Sequence, residues 1–128
     1  MPSTDLGREL RVADQQVLGG IRVIDTAGTI AGWITGMLLA DFGAEVVHVT
    51  PPSRVGADEI PGEAMWHRNK VCATPDWASD GELDVLRRLV AGADVCITTE
   101  PAVVEALGLD ATASDRLVHV HMPTAVPL

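Results

Sequence analysis

The chain is poor in aromatic residues and in positive charge. It contains no tyrosine and one phenylalanine, and 9 lysine and arginine residues face 18 aspartate and glutamate residues, for a formal net charge of −9. Nucleic-acid binding needs a concentrated lysine and arginine patch, which the sequence lacks, so we expect no nucleic-acid partner. A small anionic ligand fits this charge, because it needs only one or two local cations and some backbone N–H groups.

Cysteines and long apolar runs are also scarce. The two cysteines, Cys72 and Cys96, lie in apolar segments without CxxC spacing. This predicts buried, reduced thiols rather than a disulfide. No apolar run approaches the length of a membrane span, and the amino terminus is too polar for a signal peptide. We therefore expect a cytoplasmic protein without membrane contact.

The chain has enough apolar sequence for a packed core. Hydrophobic residues make up 47% of its 128 residues, which is typical of one globular domain. Residues 1–18 are polar and weakly patterned, and we interpret them as a leader with at most a short helical turn near its end. Residues 19–128 form the predicted domain.

Short β-branched segments alternate with helical patterns along this domain. Strands are predicted at 21–25, 45–50, 71–74, 94–98 and 117–122, and helices at 31–42, 79–92 and 101–107. Residues 53–63 are rich in glycine, proline and acid, which predicts a surface loop. The alternation predicts an α/β fold, a Rossmann-like parallel sheet with helices on both faces. Because the last strand has no following cover, we expect an incomplete part of a larger domain.

The junction between the first strand and the first helix is the natural ligand position. Ligands of open parallel sheets bind beyond the carboxyl ends of the strands, and a helix N-terminus offers free N–H groups to phosphate. The junction, Asp25–Gly32, contains two glycines but not the G-x-G-x-x-G spacing, so it gives little support to a dinucleotide site. Close packing of the helix on the strand would by itself explain the glycines.

A basic cluster follows the acidic loop. Its cations, Arg68 and Lys70, stand beside Asn69 and close to Trp66. Such a group could bind a phosphate and flank an aromatic base. A solvated basic turn is the alternative, and composition alone favours it.

Other chemistry has less support in the sequence. His119 and His121 share one face of a predicted strand and could join His48 at a metal. No third ligand is local, however, and hydrogen-bonded histidines are the simpler interpretation, so we predict no metal. Cys72 follows Lys70 by two residues, which is slight support for a reactive thiol. No G-x-S-x-G elbow frames a serine nucleophile.

Several short pieces carry more information by their order than any one of them alone. They are GIRVID, Ala31-Gly32, MLLADFGAEVVHV followed by Pro51-Pro52, RNK at 68–70, LDVLRRLVAGADV, LGL at 107–109 and RLVHV at 116–120. In this order and at nearly this spacing, the chain resembles the class III coenzyme A transferases. That family includes formyl-CoA transferase, carnitine CoA-transferase and alpha-methylacyl-CoA racemase, and the resemblance covers about residues 18–122.

The resemblance implies a Rossmann-like large domain that binds the nucleotide of coenzyme A, in subunits that interlock as a ring-shaped dimer. It also implies transfer through an aspartate that forms an acyl anhydride and then a CoA thioester. In the family this aspartate follows the strand matched by Leu117–Met122, beyond the printed sequence, so we predict no catalytic residue here. We expect an amino-terminal fragment or a divergent half of a longer class III transferase-like protein, inactive alone. It would pair as a homodimer or with the rest of such a protein.

The resemblance further implies which residues meet coenzyme A or an acyl-CoA thioester. The predicted contacts lie at the first junction and in the basic cluster: Thr29, Ile30, Ala31, Arg68, Asn69 and Lys70. The acyl donor and acceptor stay open, because their contacts would come from regions not present in this sequence. Transferase and racemase share this pattern, so the sequence does not distinguish them.

The chain departs from the family pattern at three places, one of which is Trp33, where the family usually has proline. His48–Pro52 replaces the frequent K-V-E-P-P, and Thr98–Ala102 stands where the family has E-N-F-R-P-G. These departures are the basis of an alternative hypothesis, a non-catalytic scaffold or assembly subunit that has lost CoA binding. A Rossmann-type redox domain is a third, less supported hypothesis, because the phosphate fingerprint is absent.

Overall fold

The computed structural model describes residues 17–110 and 116–123, and within them five strands form one parallel sheet. The strands are β1 (Arg22–Asp25), β2 (Glu45–Val49), β3 (Lys70–Ala73), β4 (Val95–Thr98) and β5 (Val118–His121). Their order is β3-β2-β1-β4-β5, which confirms the predicted parallel α/β fold. The order reverses between β1 and β4, and ligands of open sheets bind outside the carboxyl ends of strands at such a point.

Helices connect the strands. They are α1 (Ile30–Asp41), the one-turn α2 (Glu63–Trp66), α3 (Asp80–Ala91) and α4 (Pro101–Ala106), with a 3₁₀ turn at Pro52–Arg54. Hydroxyl caps begin the two long helices. Thr29 Oγ1 accepts the Gly32 N–H at 3.4 Å before α1, and Ser79 Oγ accepts the Glu82 N–H at 3.3 Å before α3. The second cap confirms the helix start that the spacing of Ser79 and Glu82 predicts.

The segment predicted as a loop at 53–63 contains short helical structure at both ends. The 3₁₀ turn covers its first residues, and α2 begins at Glu63. Arg54 spans the segment, because its Nη2 donates to Asp58 O at 2.8 Å and to Glu63 Oε1 at 3.0 Å. The sequence does not predict this cross-link, because the segment is rich in glycine, proline and acidic residues and has no helical period.

Two apolar cores lie on opposite faces of the sheet. One contains, from α1 and the strands, Trp33, Ala40, Val23, Val46 and Ile97. The other contains, from α3, α4 and the strands, Leu86, Val90, Val103, Ile24 and Cys96. Successive strand residues point to opposite faces, so this division confirms that helices cover both sides of the sheet.

The two cysteines differ in environment. Both are free thiols, and Cys96 is buried as predicted, which raises the pKa of its thiol to about 12. The expected burial of Cys72 is wrong, because β3 is an edge strand and leaves this side chain exposed.

No helix in residues 17–110 and 116–123 is long and apolar enough to cross a membrane. The predicted leader lies outside the described residues except for its last two positions.

Candidate functional site

Three loops meet at Gly28, directly beyond the carboxyl ends of β1, β2 and β4. A Cβ atom at Gly28 would lie 3.2 Å from Pro51 Cγ, 3.2 Å from Ser53 Oγ and 3.3 Å from Glu100 Oε2. We call the space between Gly28, Pro51, Ser53 and Glu100 the switch-point crevice. A side chain at position 28 would crowd it, so the glycine is what lets the loops approach.

Hydroxyl groups fix the loop after β1 to the end of β4. The backbone N–H of Thr26 donates to Ile97 O at 2.9 Å, and its hydroxyl donates to the same oxygen at 2.7 Å. The N–H of Gly28 donates to Thr99 Oγ1 at 2.9 Å. Thr26 and Thr99 are buried, so the floor of the crevice is held by neutral, satisfied hydrogen bonds.

Thr29, Ile30 and Ala31 begin α1 at the side of the crevice. Thr29 caps the helix, while Ile30 is 42% exposed and Ala31 is exposed. The structure therefore places the three predicted contacts together, at the carboxyl-terminal edge of the sheet. Their contact with coenzyme A stays a prediction.

Gly32 has a packing role. A Cβ atom there would collide with Ala27 Cβ and would lie 3.4 Å from Thr99 Cγ2. Close packing of α1 on the sheet thus accounts for this glycine, as the alternative interpretation of the junction proposed.

Glu100 is the crevice residue that the sequence analysis did not single out. Its Oε1 accepts the Ser53 N–H at 3.2 Å. Its Oε2 is buried and has no hydrogen-bond partner among the described residues. Ser53 and Glu100 are 47 positions apart in the sequence. No local sequence pattern predicts a contact between residues so far apart.

A second polar group lies on the other side of β1. We call Asp25, His48, His67 and Lys70 the buried ion cluster. Lys70 Nζ donates to Asp25 Oδ2 at 2.8 Å, and both side chains are fully buried. It also donates to Trp33 O at 3.0 Å and to His67 Nδ1 at 3.1 Å. The three protons of the ammonium group therefore have three acceptors.

These contacts set the protonation states in the cluster. His67 Nδ1 accepts from an ammonium, so the His67 ring is neutral with its proton on Nε2. Burial, then the electrostatic effects of His48 and Lys70, lower the pKa of His67 to about 4. Burial alone would raise the pKa of Asp25, but His48 and Lys70 outweigh it, and that pKa lies below its usual value.

Two further contacts complete the cluster. The His48 and His67 rings stack with centroids 4.0 Å apart, and His48 Nδ1 lies 3.3 Å from Asp25 Oδ2 without hydrogen-bond geometry. Gly36 of α1 makes room for the pair, because a Cβ atom there would lie 2.5 Å from Asp25 Oδ2 and 2.9 Å from Lys70 Nζ. The packing of α1 and the ion pair therefore depend on each other.

Asp25, His48 and His67 bring ligand atoms within 4.8 Å of one another, as a metal site would. Lys70 Nζ already bonds two of these three residues. A metal ion would have to displace the buried ammonium of Lys70 from the carboxylate of Asp25, which is costly. The cluster thus carries its own cation and is not a good metal site.

His48 does not meet His119 and His121, the other two histidines considered for a metal site. His119 Nε2 and His121 Nδ1 each lie 2.8 Å from Thr98 Oγ1 on the neighbouring strand. His48 lies on β2, with β1 and β4 between it and β5. Both β5 histidines have a hydroxyl partner instead.

The predicted basic cluster is divided by the fold. Asn69 has a φ of 64°, and Lys70 beyond it turns inward to Asp25. Arg68 Nη2 donates to Asp41 Oδ2 at 2.7 Å and Asn69 Nδ2 to Asp41 Oδ1 at 3.3 Å. Asp41 is the last residue of α1.

Arg68 and Asn69 therefore lie at one end of α1, and Thr29–Ala31 lie at the other. The helix rise places these ends about 17 Å apart. Arg68 and Lys70 already have carboxylate partners, and the structure does not bring them to one point. A phosphate contact by these residues stays a prediction.

The sequence matches a known family. The model of CoA-transferase family III matches residues 18–123. The CoA-transferase/lyase DddD of Marinomonas sp. is 37% identical over 115 residues, covering 86% of this chain and 14% of that protein. Alpha-methylacyl-CoA racemase of Mus musculus is 43% identical over 81 residues, covering 63% and 20%.

Solved structures are similar to this chain in fold. A hypothetical protein of Mycobacterium tuberculosis, Rv3272, superposes with a TM-score of 0.66 at 29% identity, over 83% of this chain and 33% of that one. A CAIB/BAIF family protein of Brucella suis has a TM-score of 0.58 at 31% identity, over 75% and 29%. The chain thus spans no more than a third of the length of these relatives.

Proposed function

Because the chain belongs to CoA-transferase family III, we propose that it binds coenzyme A or a CoA thioester at the carboxyl-terminal edge of its sheet. The open first turn of α1 beside the switch-point crevice is the observation that carries the proposal. Ile30 and Ala31 are exposed there, next to the point where the strand order reverses. Backbone N–H groups and apolar side chains of this turn would contact the nucleotide.

In this proposal the chain supplies the binding half of a cytoplasmic transferase. Transfer of CoA between carboxylic acids, the activity that the family resemblance implies, needs a reacting carboxylate. The rest of a larger family III protein would supply it, and the chain would associate with that protein or pair as a homodimer.

Two substitutions on α1 test the binding surface. Ile30→Glu places a charge and new bulk on the proposed contact turn, whereas Leu38→Glu makes the same kind of change at a residue that is 47% exposed two turns later. We expect Ile30→Glu to raise the Kd for CoA by about tenfold, the loss of one good contact, and Leu38→Glu to leave it within twofold. Isothermal titration at millimolar CoA measures both. Absence of heat with the unmodified chain would contradict CoA binding.

The competing hypothesis is an assembly subunit that has lost CoA binding. The engagement of Arg68 by Asp41 and of Lys70 by Asp25 favours it, because neither cation is available without breaking an ion pair. Size-exclusion chromatography with light scattering separates the two functions. An assembly subunit forms the same oligomer with and without CoA and gives no heat in the CoA titration. A CoA-binding chain gives heat in that titration.

A further inference from the structure

We propose that Glu100 is a built-in competitor for the anionic part of the ligand, and so determines how strongly the switch-point crevice binds phosphate groups. This inference rests on the proposed function and names a specificity-determining residue in the same site. Its basis is the position of one carboxylate among the three loops that meet at Gly28.

The carboxylate of Glu100 lies where a ligand anion would be expected. It is beyond the ends of β1 and β4, where the strand order reverses, and close to the amino-terminal end of α1, which favours negative charge. Ser53 donates its backbone N–H to Glu100 Oε1 at 3.2 Å, as it could to a phosphate oxygen. The protein therefore fills this position with a charge of its own.

The fit of this carboxylate is incomplete. Oε2 faces Gly28, lies 3.3 Å from the position of a Cβ atom there, and has no donor among the described residues. A buried acceptor without a partner destabilises the arrangement that holds it. The Glu100 side chain is partly exposed as a whole, so rotation of its side chain can carry the carboxylate to water, where both oxygens are hydrated.

A phosphate cannot share the crevice with Glu100. Two negative charges a few ångströms apart repel each other strongly away from bulk water. A phosphate must therefore displace the carboxylate, and the energy of displacement is subtracted from its binding. An uncharged part of a ligand, such as the pantetheine arm of CoA, does not meet this repulsion.

The test compares Glu100→Gln with Glu105→Gln in the full chain. Glu105 is exposed on α4, so its substitution makes the same change in net charge away from the crevice. The probes are ADP, pantetheine and CoA, with Kd values from titration of backbone amide shifts. Thermal unfolding and circular dichroism confirm that each variant folds, and Glu100→Ala provides a second variant that removes the whole carboxylate.

We expect Glu100→Gln and Glu100→Ala to lower the Kd for ADP and CoA by about tenfold or more, because the repulsion between two charges near a protein surface exceeds its value in bulk water. Pantetheine should change by less than twofold. Glu105→Gln should change no Kd by more than twofold. The Gly28 and Ser53 amide signals should move with ADP in the Glu100 variants.

Four results would overturn the inference. Equal effects of Glu100→Gln and Glu105→Gln on ADP would mean that net charge alone acts. Unchanged or weaker ADP binding in both Glu100 variants would exclude competition. Failure of all three probes to bind any variant would remove both the inference and the proposed function. CoA binding that is equal in every variant would leave the function standing and defeat only the role of Glu100.

Discussion

The two polar groups that flank the end of β1 satisfy their charges differently. In the buried ion cluster, the ammonium of Lys70 has three acceptors and the carboxylate of Asp25 has a cation. In the switch-point crevice, Glu100 has one donor for one oxygen and none among the described residues for the other. The cluster also has one unpartnered atom, His48 Nδ1, but its buried ammonium and carboxylate are paired, whereas the charge of Glu100 has no cation partner among the described residues. Paired buried charges stabilise one conformation, and an unpaired one favours rearrangement. We infer that the first group serves the fold and the second serves binding.

The largest expected effect comes from breaking the ion cluster. Lys70→Met leaves the buried carboxylate of Asp25 without its cation, and removal of one partner of a buried pair costs about 3–5 kcal/mol of unfolding free energy. Arg68→Met is the matched control, because it removes the neighbouring cation from a partly exposed pair and should cost less than about 1 kcal/mol. Urea unfolding monitored by tryptophan fluorescence measures both variants. Similar losses of unfolding free energy in the two variants would show that the buried ion cluster contributes no more to stability than the partly exposed pair.

That comparison also shows where sequence analysis succeeds. The parallel sheet, its strands and the α3 cap could be predicted because β-branched runs, helical spacing and capping residues are local patterns. Thr29–Ala31 were placed at the correct edge of the sheet for the same reason, since a strand-to-helix junction has a fixed position in the fold.

Long-range pairings explain what could not be predicted. Arg68, Asn69 and Lys70 are adjacent in sequence, and adjacency suggested one binding site. A positive φ at Asn69 and two carboxylates, Asp41 and Asp25, divide them in space. Asp41 and Asp25 precede Lys70 by 29 and 45 residues in the sequence. These partners can therefore be identified only once the strand order is known.

A smaller effect is expected from acid, and it comes from the same cluster. The pKa of His67 is about 4 in the folded chain and 6.5 as its ordinary value. Between these two values the unfolded chain binds more protons at this residue, so stability falls as pH drops from 6.5 to 4. The pKa of Asp25 is also lowered, so its contribution is present above its ordinary value and is lost as pH falls through the folded value.

The variant His67→Asn isolates the histidine part of this dependence. It should flatten the fall of unfolding free energy between pH 6.5 and 4 by on the order of 1 kcal/mol, after allowance for the partial exposure of the ring. Urea midpoints across this pH range give the measurement. An unchanged slope in His67→Asn would mean that His67 is not held neutral by the cluster.

The smallest expected effect is on the crevice side, and it should have the opposite sign. Glu100→Gln removes a charge whose Oε2 has no donor, while the remaining oxygen can still accept the Ser53 N–H. Because glutamine is neutral, the substitution removes the cost of holding a charge without a cation partner among the described residues, and the unfolding free energy should stay equal or rise by up to about 1 kcal/mol. Glu105→Gln, an exposed charge on α4, should stay within about 0.5 kcal/mol. A loss above that range in Glu100→Gln would make its carboxylate a structural partner like Asp25, and the contrast between the two sides of β1 would disappear.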